Sequence, residues 1–502
     1  GCTDGDGNSA LVSKPDWKAQ HPTGTVTLPE GVETLTAALA PAADCDEALT
    51  ALRLKLIQNM VTRLDQEFES AKQELEWGCY QYEYGGGIMD ASASMDTMAP
   101  SDKDGGANPD EGEEASEYST TNTQIADVDE ADFIKNDGGY IYVLADGALQ
   151  ILDAWPAAEA HHLSWTPIQG DPHRMFVHKD RAVVYASVAP IEIANDYGMY
   201  SQSMFRECTY GYDCEFTGDG RALAVRIYDL AETGSLEEPE LVREITFTGS
   251  YLSSRRIDDA IYTVVYFPDI VAAIPGVAYR PEALQDWSWC EEMSEADLVV
   301  AFDELYQSNL ALLEAVDLSE HLPQVKDTRF VDGAAVTDQT LLAECDGFFL
   351  DSAGDGTSLM SLVSFDLDDD TPLASATIVG KPGAVYASRD SLYVANRRYA
   401  DQMNVWYYEE AAAIEEATTF HKFALTPADA SASYIGSGIT KGRILNQFSM
   451  DERAGHLRVA TTSGHVPQPN VHSTISILAE DASTGRLELT GIIDNIAPTE
   501  DI

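Results

Sequence analysis

Residues 139–145 read GYIYVLA, and a segment of the same kind returns as DRAVVYA (180–186), DAIYTVV (259–265), DSLYVAN (390–396) and GHLRVAT (455–461). Each opens on a turn residue and continues with alternating or unbroken apolar positions, the pattern of a strand with a buried face. A second apolar segment follows each one: ALQILDA (148–154), AVRIYDL (224–230), LVSFDLD (362–368), FHKFALT (420–426) and TISILAE (474–480). A shorter stretch then closes near Gly170, Gly249, Gly380, Gly438 and Gly491. A strand such as RMFVH (174–178), YLSS (251–254), AVYAS (384–388) or NQFS (446–449) leads into the next copy. This makes three to four antiparallel strands per unit, five times over. One unit cannot bury both faces of its sheet, so neighbouring units must stack. Four-stranded sheets stacked radially predict a mainly β chain folded as a β-propeller; a β-sandwich, or a pair of them, is the competing reading.

The spacing between copies is uneven, and the longer intervals hold insertions. The largest, 267–341, predicts a helix from Ser294, with Asp297 as its capping partner. Leu298, Phe302, Leu305, Leu312 and Val316 form its expected buried stripe. The domain plan follows. Residues 1–40 are polar and read as a flexible leash, and 41–84 as a helical segment. Residues 85–117 read as a disordered acidic linker, and 118–502 as the propeller, with its helical insertion at about 281–322. In the helical segment Asp44 is the expected N-cap, with Glu47 three residues on. Leu49, Leu52, Leu56, Met60, Leu64, Phe68, Ala71 and Leu75 make one apolar stripe, suited to packing on its own domain or on a partner helix.

Of the 502 residues, 85 are Asp or Glu and 30 are Lys or Arg, for a formal net charge of −55. Nucleic acid is therefore excluded as a partner, because phosphate binding needs a basic face. A hydrophobic share of 44% excludes a wholly disordered chain. No run of 18 or more uncharged apolar residues occurs, so nothing reads as a membrane-spanning helix.

The sequence begins Gly1-Cys2-Thr3-Asp4 and continues with a polar run. This resembles a bacterial lipoprotein cut just inside its lipobox, which implies a lipid on Cys2 as the membrane tie and an extracytoplasmic place at the bacterial cell envelope. Six further cysteines remain: Cys45, Cys79, Cys208, Cys214, Cys290 and Cys345. None forms CxxC. As disulfides they allow 15 pairings, of which nearest-neighbour pairing (45–79, 208–214, 290–345) is the simplest guess. Buried free thiols are the alternative.

Two segments carry a family resemblance. TNTQIADVDEADFIKNDGGYIYVL (121–144) and NQFSMDERAGHLRVATT (446–462) resemble the signature stretches of a secreted β-propeller-domain family of bacteria and archaea, distantly related to WD-repeat proteins. VRIYDL (225–230) and REITFTGSYLSSRR (243–256) are similar to its connecting pieces. The resemblance implies a large propeller, an extracytoplasmic location and often a lipid anchor, and it carries over no catalytic residues. In that family a segment like NIAPTEDI (495–502) leads straight into a further blade, so the ring of five units is expected to be incomplete in this chain.

Chemistry-bearing constellations are few. HExxH, GxSxG, a Walker loop and a dinucleotide fingerprint are all absent from the sequence. Asp127, Asp129, Glu130, Asp132 and Asp137 bring five carboxylates into eleven residues. They repel one another unless something neutralises them. Candidates are a bound Ca²⁺, plain hydration, or hydrogen bonds from backbone N–H groups at turns. His161 and His162 are adjacent, so on a strand they face opposite sides. His456, His465 and His472 share one unit. The aromatics Tyr197, Tyr200, Phe205, Tyr210 and Tyr212, with NVWYY (404–408), suit a sugar or protein partner, or packing beneath their loops. The leading functional expectation is a lipid-anchored binding or assembly module with a protein or glycan partner. The alternative is an enzyme, a hydrolase or lyase on cell-surface polymer, with its site at the central channel.

Overall fold

The computed structural model describes residues 39–77, 123–190, 218–267, 274–285, 289, 293–331, 334–342, 347–351, 358–368, 372–380, 383–399, 416–464 and 469–500. Within them lie five four-stranded antiparallel meanders. Blade 1 consists of Ile134–Asn136, Tyr140–Ala145, Ala148–Asp153 and His161–Pro167. Blade 2 has Asp171–His178, Arg181–Pro190, Arg221–Asp229 and Glu240–Phe247. Blade 3 has Ser250–Ile257, Ala260–Phe267, Leu359–Asp366 and Ala374–Val379. Blade 4 follows with Ala384–Ala387, Ser391–Tyr399, Glu416–Thr426 and Ser431–Lys441. Blade 5 closes the series with Met450–Arg453, His456–Ser463, His472–Asp481 and Arg486–Ile496. The five repeats in the sequence are these five blades.

Local chemistry explains the meanders. Asp146 and Gly147 sit at φ 52° and 69°, the left-handed pair that a two-residue hairpin requires, and Ala145 faces Ala148 across it. The apolar faces then stack blade on blade. Tyr142, Leu149 and Ile151 of blade 1 pack with Met175 and Val184 of blade 2. Met360 and Ile378 of blade 3 meet Val394 and Phe423 of blade 4. Tyr393 and Phe420 of blade 4 meet Leu457 and Leu478 of blade 5. Blades 4 and 5 also touch through a parallel bridge, Ser437 opposite Arg486. Gly436 and Gly438 permit it, since a Cβ on either would fall about 2.5 Å from a carbonyl oxygen of Gly485 or Leu487.

One predicted leading strand is different. NQFS is a 3-10 turn at Gln447–Ser449, entered through an Asn446 side chain that accepts from the Phe448 N–H, and the strand begins only at Met450. An asparagine that hydrogen-bonds its own turn competes with the ladder.

Two blades are wider than the repeat pattern implied. A hairpin, Gln324–Val331 and Ala334–Leu341, adds to the outer edge of blade 2 through pairing with Glu240–Phe247. Phe348–Asp351 lies parallel to the outer strand of blade 3, and Leu39–Pro41 pairs antiparallel with it. Leu39 and Ala40, assigned from sequence to the leash, are therefore strand residues. An outer edge with unpaired backbone groups recruits them, a long-range event that a three-residue segment does not announce.

Two helices pack together on this wall. Helix α1 is Cys45–Trp77 and helix α2 is Glu295–Ala315. The N-terminus of α1 is held as expected, with the Asp44 carboxylate accepting from the Glu47 N–H at 2.9 Å. Leu52, Leu56, Met60, Leu64 and Ala71 are buried, and Leu49, Phe68 and Leu75 pack beside them. The stripe thus serves its own fold. Helix α2 carries the expected capping box at Ser294 and Asp297 and buries Leu298 and Phe302. Further along, Leu313 is buried where the spacing had suggested Leu312, together with Asn309. Asn309 is satisfied there by Ala278, donating to its carbonyl at 2.6 Å and accepting from its N–H at 3.2 Å.

Helix α1 also removes one cysteine pairing. Thirty-three residues at 1.5 Å each span about 50 Å, whereas disulfide-linked Cα atoms lie within about 7 Å. A bridge from Cys45 to Cys79 around this helix is ruled out by its length.

Asp229, in the IYDL segment, ends the third strand of blade 2. Burial pushes its carboxyl up, but the N–H groups of Ala231 and Glu232 and the guanidinium of Arg181 outweigh burial and hold it below the usual carboxylate range. A depressed pKa in the folded state adds stability above the unfolded pKa. That stability is lost as pH falls through the folded value. Asp229→Asn is expected to lose about 1–3 kcal/mol at pH 7 in urea titrations. The gap to the native chain should narrow below about pH 4. A gap of the same size at pH 3 would assign the loss to packing instead of charge.

A polar strap and cleft beside the inner strands

Residues 123–133 lead into blade 1 as a strap, and the strap crosses the first strands of other blades. Asp129 and Glu130 pair antiparallel with Arg256 and Arg255 at the edge of blade 3. Asp132 forms an isolated bridge with Met175 of blade 2, donating at 3.2 Å and accepting at 2.8 Å through the backbone. Gln124 donates its amide to the carbonyls of Gln447 and Met450 at the start of blade 5, at 3.1 and 2.9 Å. Ile125 packs against the cores on both sides of blade 4. First strands are innermost in a propeller, so the strap runs along the central side.

Strand alternation sends Asp129 and Glu130 to opposite faces, and each meets cations there. The Asp129 carboxylate lies 2.7 Å from Lys135 Nζ and 3.1 Å from Arg256 Nη2. Lys135 is only 4% exposed and donates also to the Glu130 carbonyl at 2.5 Å. Glu130 Oε1 lies 3.6 Å from Arg255 Nη2. Arg255, equally buried, donates to Ser253 Oγ, the Ser254 carbonyl and Gln447 Oε1, each at 2.8 Å, and to the Val385 carbonyl at 3.4 Å. One guanidinium thus ties the strap to blades 3, 4 and 5. A buried charge persists only when its donors are satisfied in this way.

The five candidate carboxylates for calcium are thereby dispersed. Asp129 and Glu130 face protein cations. Asp132 accepts from the Phe133 N–H at 2.7 Å. Asp137 caps the turn between the first two strands of blade 1, accepting from the N–H groups of Gly139 and Tyr140 at 3.0 and 2.8 Å and from the Tyr142 hydroxyl at 2.8 Å. Burial, then that Asp137 bond, raises the Tyr142 pKa. Asp127 occupies a left-handed turn at φ 65°. Among the described residues no three His, Cys, Asp or Glu side chains converge as a metal site would require.

The other candidates separate too. His161 and His162 are both exposed on blade 1. His456 and His472 stand at opposite ends of one strand pair, facing Ala479 and Ser463. His465 lies outside the described residues, as do Cys2, Cys79, Cys208, Cys214, Cys290, Cys345, the side chain of Cys45, the 85–117 segment and the aromatic loop residues at 197–212 and 404–408.

Between the strap, blade 2 and blade 3 a cleft of about 330 Å³ opens, its walls including Glu130, Asp132, Arg174, Tyr251, Ser253 and Gln447. Phe133 stands at its edge, 51% exposed. The Tyr251 hydroxyl lies 3.0 Å from Ser254 Oγ. Sequence reading found the carboxylates of this region and missed their counterions. The adjacent Arg255-Arg256, in a chain so poor in cations, was the available signal.

These stacked four-stranded sheets define the protein as a β-propeller. Residues 118–502 match the family model described as a beta propeller domain, and the chain belongs to that family. A search of curated proteins returns no match. Among solved structures, a functionally unknown protein from Desulfotomaculum acetoxidans DSM 771 is similar at 8% identity. That likeness covers 71% of this chain and 99% of the other, and its TM-score of 0.15 carries no argument.

Proposed function

We propose that the chain works as a binding module at a cell envelope, held there by a lipid on Cys2 and recognising a protein or glycan partner through the cleft beside the strap. A propeller domain suggests a binding or assembly module, and one observation supports the finer reading. Two carboxylates of the strap are held by cations of the blades, Asp129 by Lys135 and Arg256, and Glu130 by Arg255. Groups held in internal ion pairs shape a recognition surface, whereas a reaction site needs groups poised for proton transfer. Phe133 adds the exposed aromatic area on which partners dock well.

The test uses purified full-length protein and cell-envelope polymer from its own source. Co-sedimentation is expected for the native chain, and Phe133→Ala should weaken it by about tenfold. Release of soluble fragments from the polymer would favour the hydrolase or lyase reading. Binding indifferent to Phe133 would move the contact away from the cleft. Cell fractionation of Cys2→Ser, expected to leave the membrane pellet, checks the anchor separately.

A further inference from the structure

The cleft beside the strap owes its shape to a change of partner. Asp129 and Glu130 pair with Arg256 and Arg255 on the inner strand of blade 3. Continued, that antiparallel register would set Ala131 against Ser254 and Asp132 against Ser253. Asp132 instead bonds Met175 of blade 2 through both its backbone groups, at 3.2 and 2.8 Å. The strap thus crosses from one inner strand to the next, and a wedge opens where it leaves blade 3. Leu252 and Ser253 line that wedge on one side and Arg174 of blade 2 on the other. Among the described residues no strand pairs with Leu252 or Ser253 on the side that the strap occupies at Arg255.

We infer that a short extended peptide adds as a strand beside Leu252 and Ser253, which rests on the cleft being the recognition surface proposed above and names what it recognises. A strand edge presents N–H and C=O groups at the spacing of another peptide backbone, and a sugar has no matching row. The strap already pairs with the same edge two residues further on, so the edge accepts a strand. The charges on the walls balance, Arg174 and Arg255 against Glu130 and Asp132, which suits an uncharged backbone. Of the two aromatic side chains on the walls, Phe133 is the exposed one. Tyr251 is engaged by the rings of Tyr185 and His173, 5.1 and 5.4 Å away between centroids, so a sugar would find one stacking surface and not two. Phe133 instead takes an apolar side chain of the peptide. Leu252 is the extra residue of a bulge between Tyr251 and Ser253. That bulge bends the edge, and the added strand is short for the same reason.

The test pans purified full-length protein against a random heptapeptide phage library, and selected peptides are synthesised for fluorescence-anisotropy titration. Binding is expected, weakened about tenfold by Phe133→Ala. N-methylation of the peptide amides, one at a time, separates strand addition from side-chain contact. Alternate amides in the bound stretch should each lose about tenfold and those between them little, because only one set points at the edge. A response without that alternation would overturn strand addition. Ser253→Trp, which fills the wedge, should abolish binding with the thermal midpoint kept; if that variant unfolds, the methylation series on the native chain decides alone. Failure to select any peptide, with envelope oligosaccharides bound in a way that Phe133→Ala weakens, would overturn the peptide and leave the cleft as the recognition surface. Peptides and oligosaccharides that both ignore Phe133→Ala would overturn the two readings together.

Discussion

Arg255→Ala is expected to lower the unfolding free energy by about 3–5 kcal/mol, read from urea titrations of the purified chain. The size follows from what the side chain serves. Its guanidinium is 4% exposed and satisfies Ser253 Oγ, two carbonyls and Gln447 Oε1, with Glu130 at 3.6 Å. Truncation leaves a carboxylate and several acceptors without their donor in a region where water enters poorly, and each such group is costly. Arg255→Lys should recover only part of the loss, because an ammonium cannot present a planar fork to three blades at once. A loss below about 1 kcal/mol would mean that water replaces the guanidinium, and that the strap is held by Asp129 with Lys135 and Arg256.

Leu56→Ala should cost about 3–5 kcal/mol by the same measurement. Leu56 is 0% exposed on the inner face of α1 and belongs to a core shared with Leu298 and Phe302 of α2 and with strand residues of blades 2 and 3. Removing it deletes buried methyl groups and leaves a cavity between rigid walls, which relax little. Leu54, 56% exposed on the opposite face, is the control: Leu54→Ala should stay within about 0.5 kcal/mol. If the two variants fell together by similar amounts, burial on the inner face would not explain the loss, and helix propensity could not either, because Ala forms helix at least as well as Leu. If Leu56→Ala cost under 1 kcal/mol, α1 would be an appendage to the fold and not part of its core.

The legibility of this chain divides by range. The five strand pairs, the capped helix at Ser294 and the stripe from Leu49 to Leu75 were readable because their signals repeat every two residues or every three to four. Such periods are local, and a core position shows itself without naming its partner. The miss at Asn446 was also local. Its side chain turned the backbone, and apolar content alone had suggested a strand.

The site was legible only in half. The acidic run was visible, and its neutralisation by Lys135, Arg255 and Arg256 was not. Two of those cations lie more than a hundred residues away, and which face each carboxylate takes depends on the register of Asp129 and Glu130 against blade 3. Leu39–Pro41 is the same case, for its pairing with Phe348–Asp351 spans some three hundred residues. By itself the sequence determined the repeating strands, the five blades and the helices, because periodicity and capping act within a few residues. Tertiary structure alone decided which charges meet and how the strap lies across the inner strands, because each depends on registers between segments far apart in the chain.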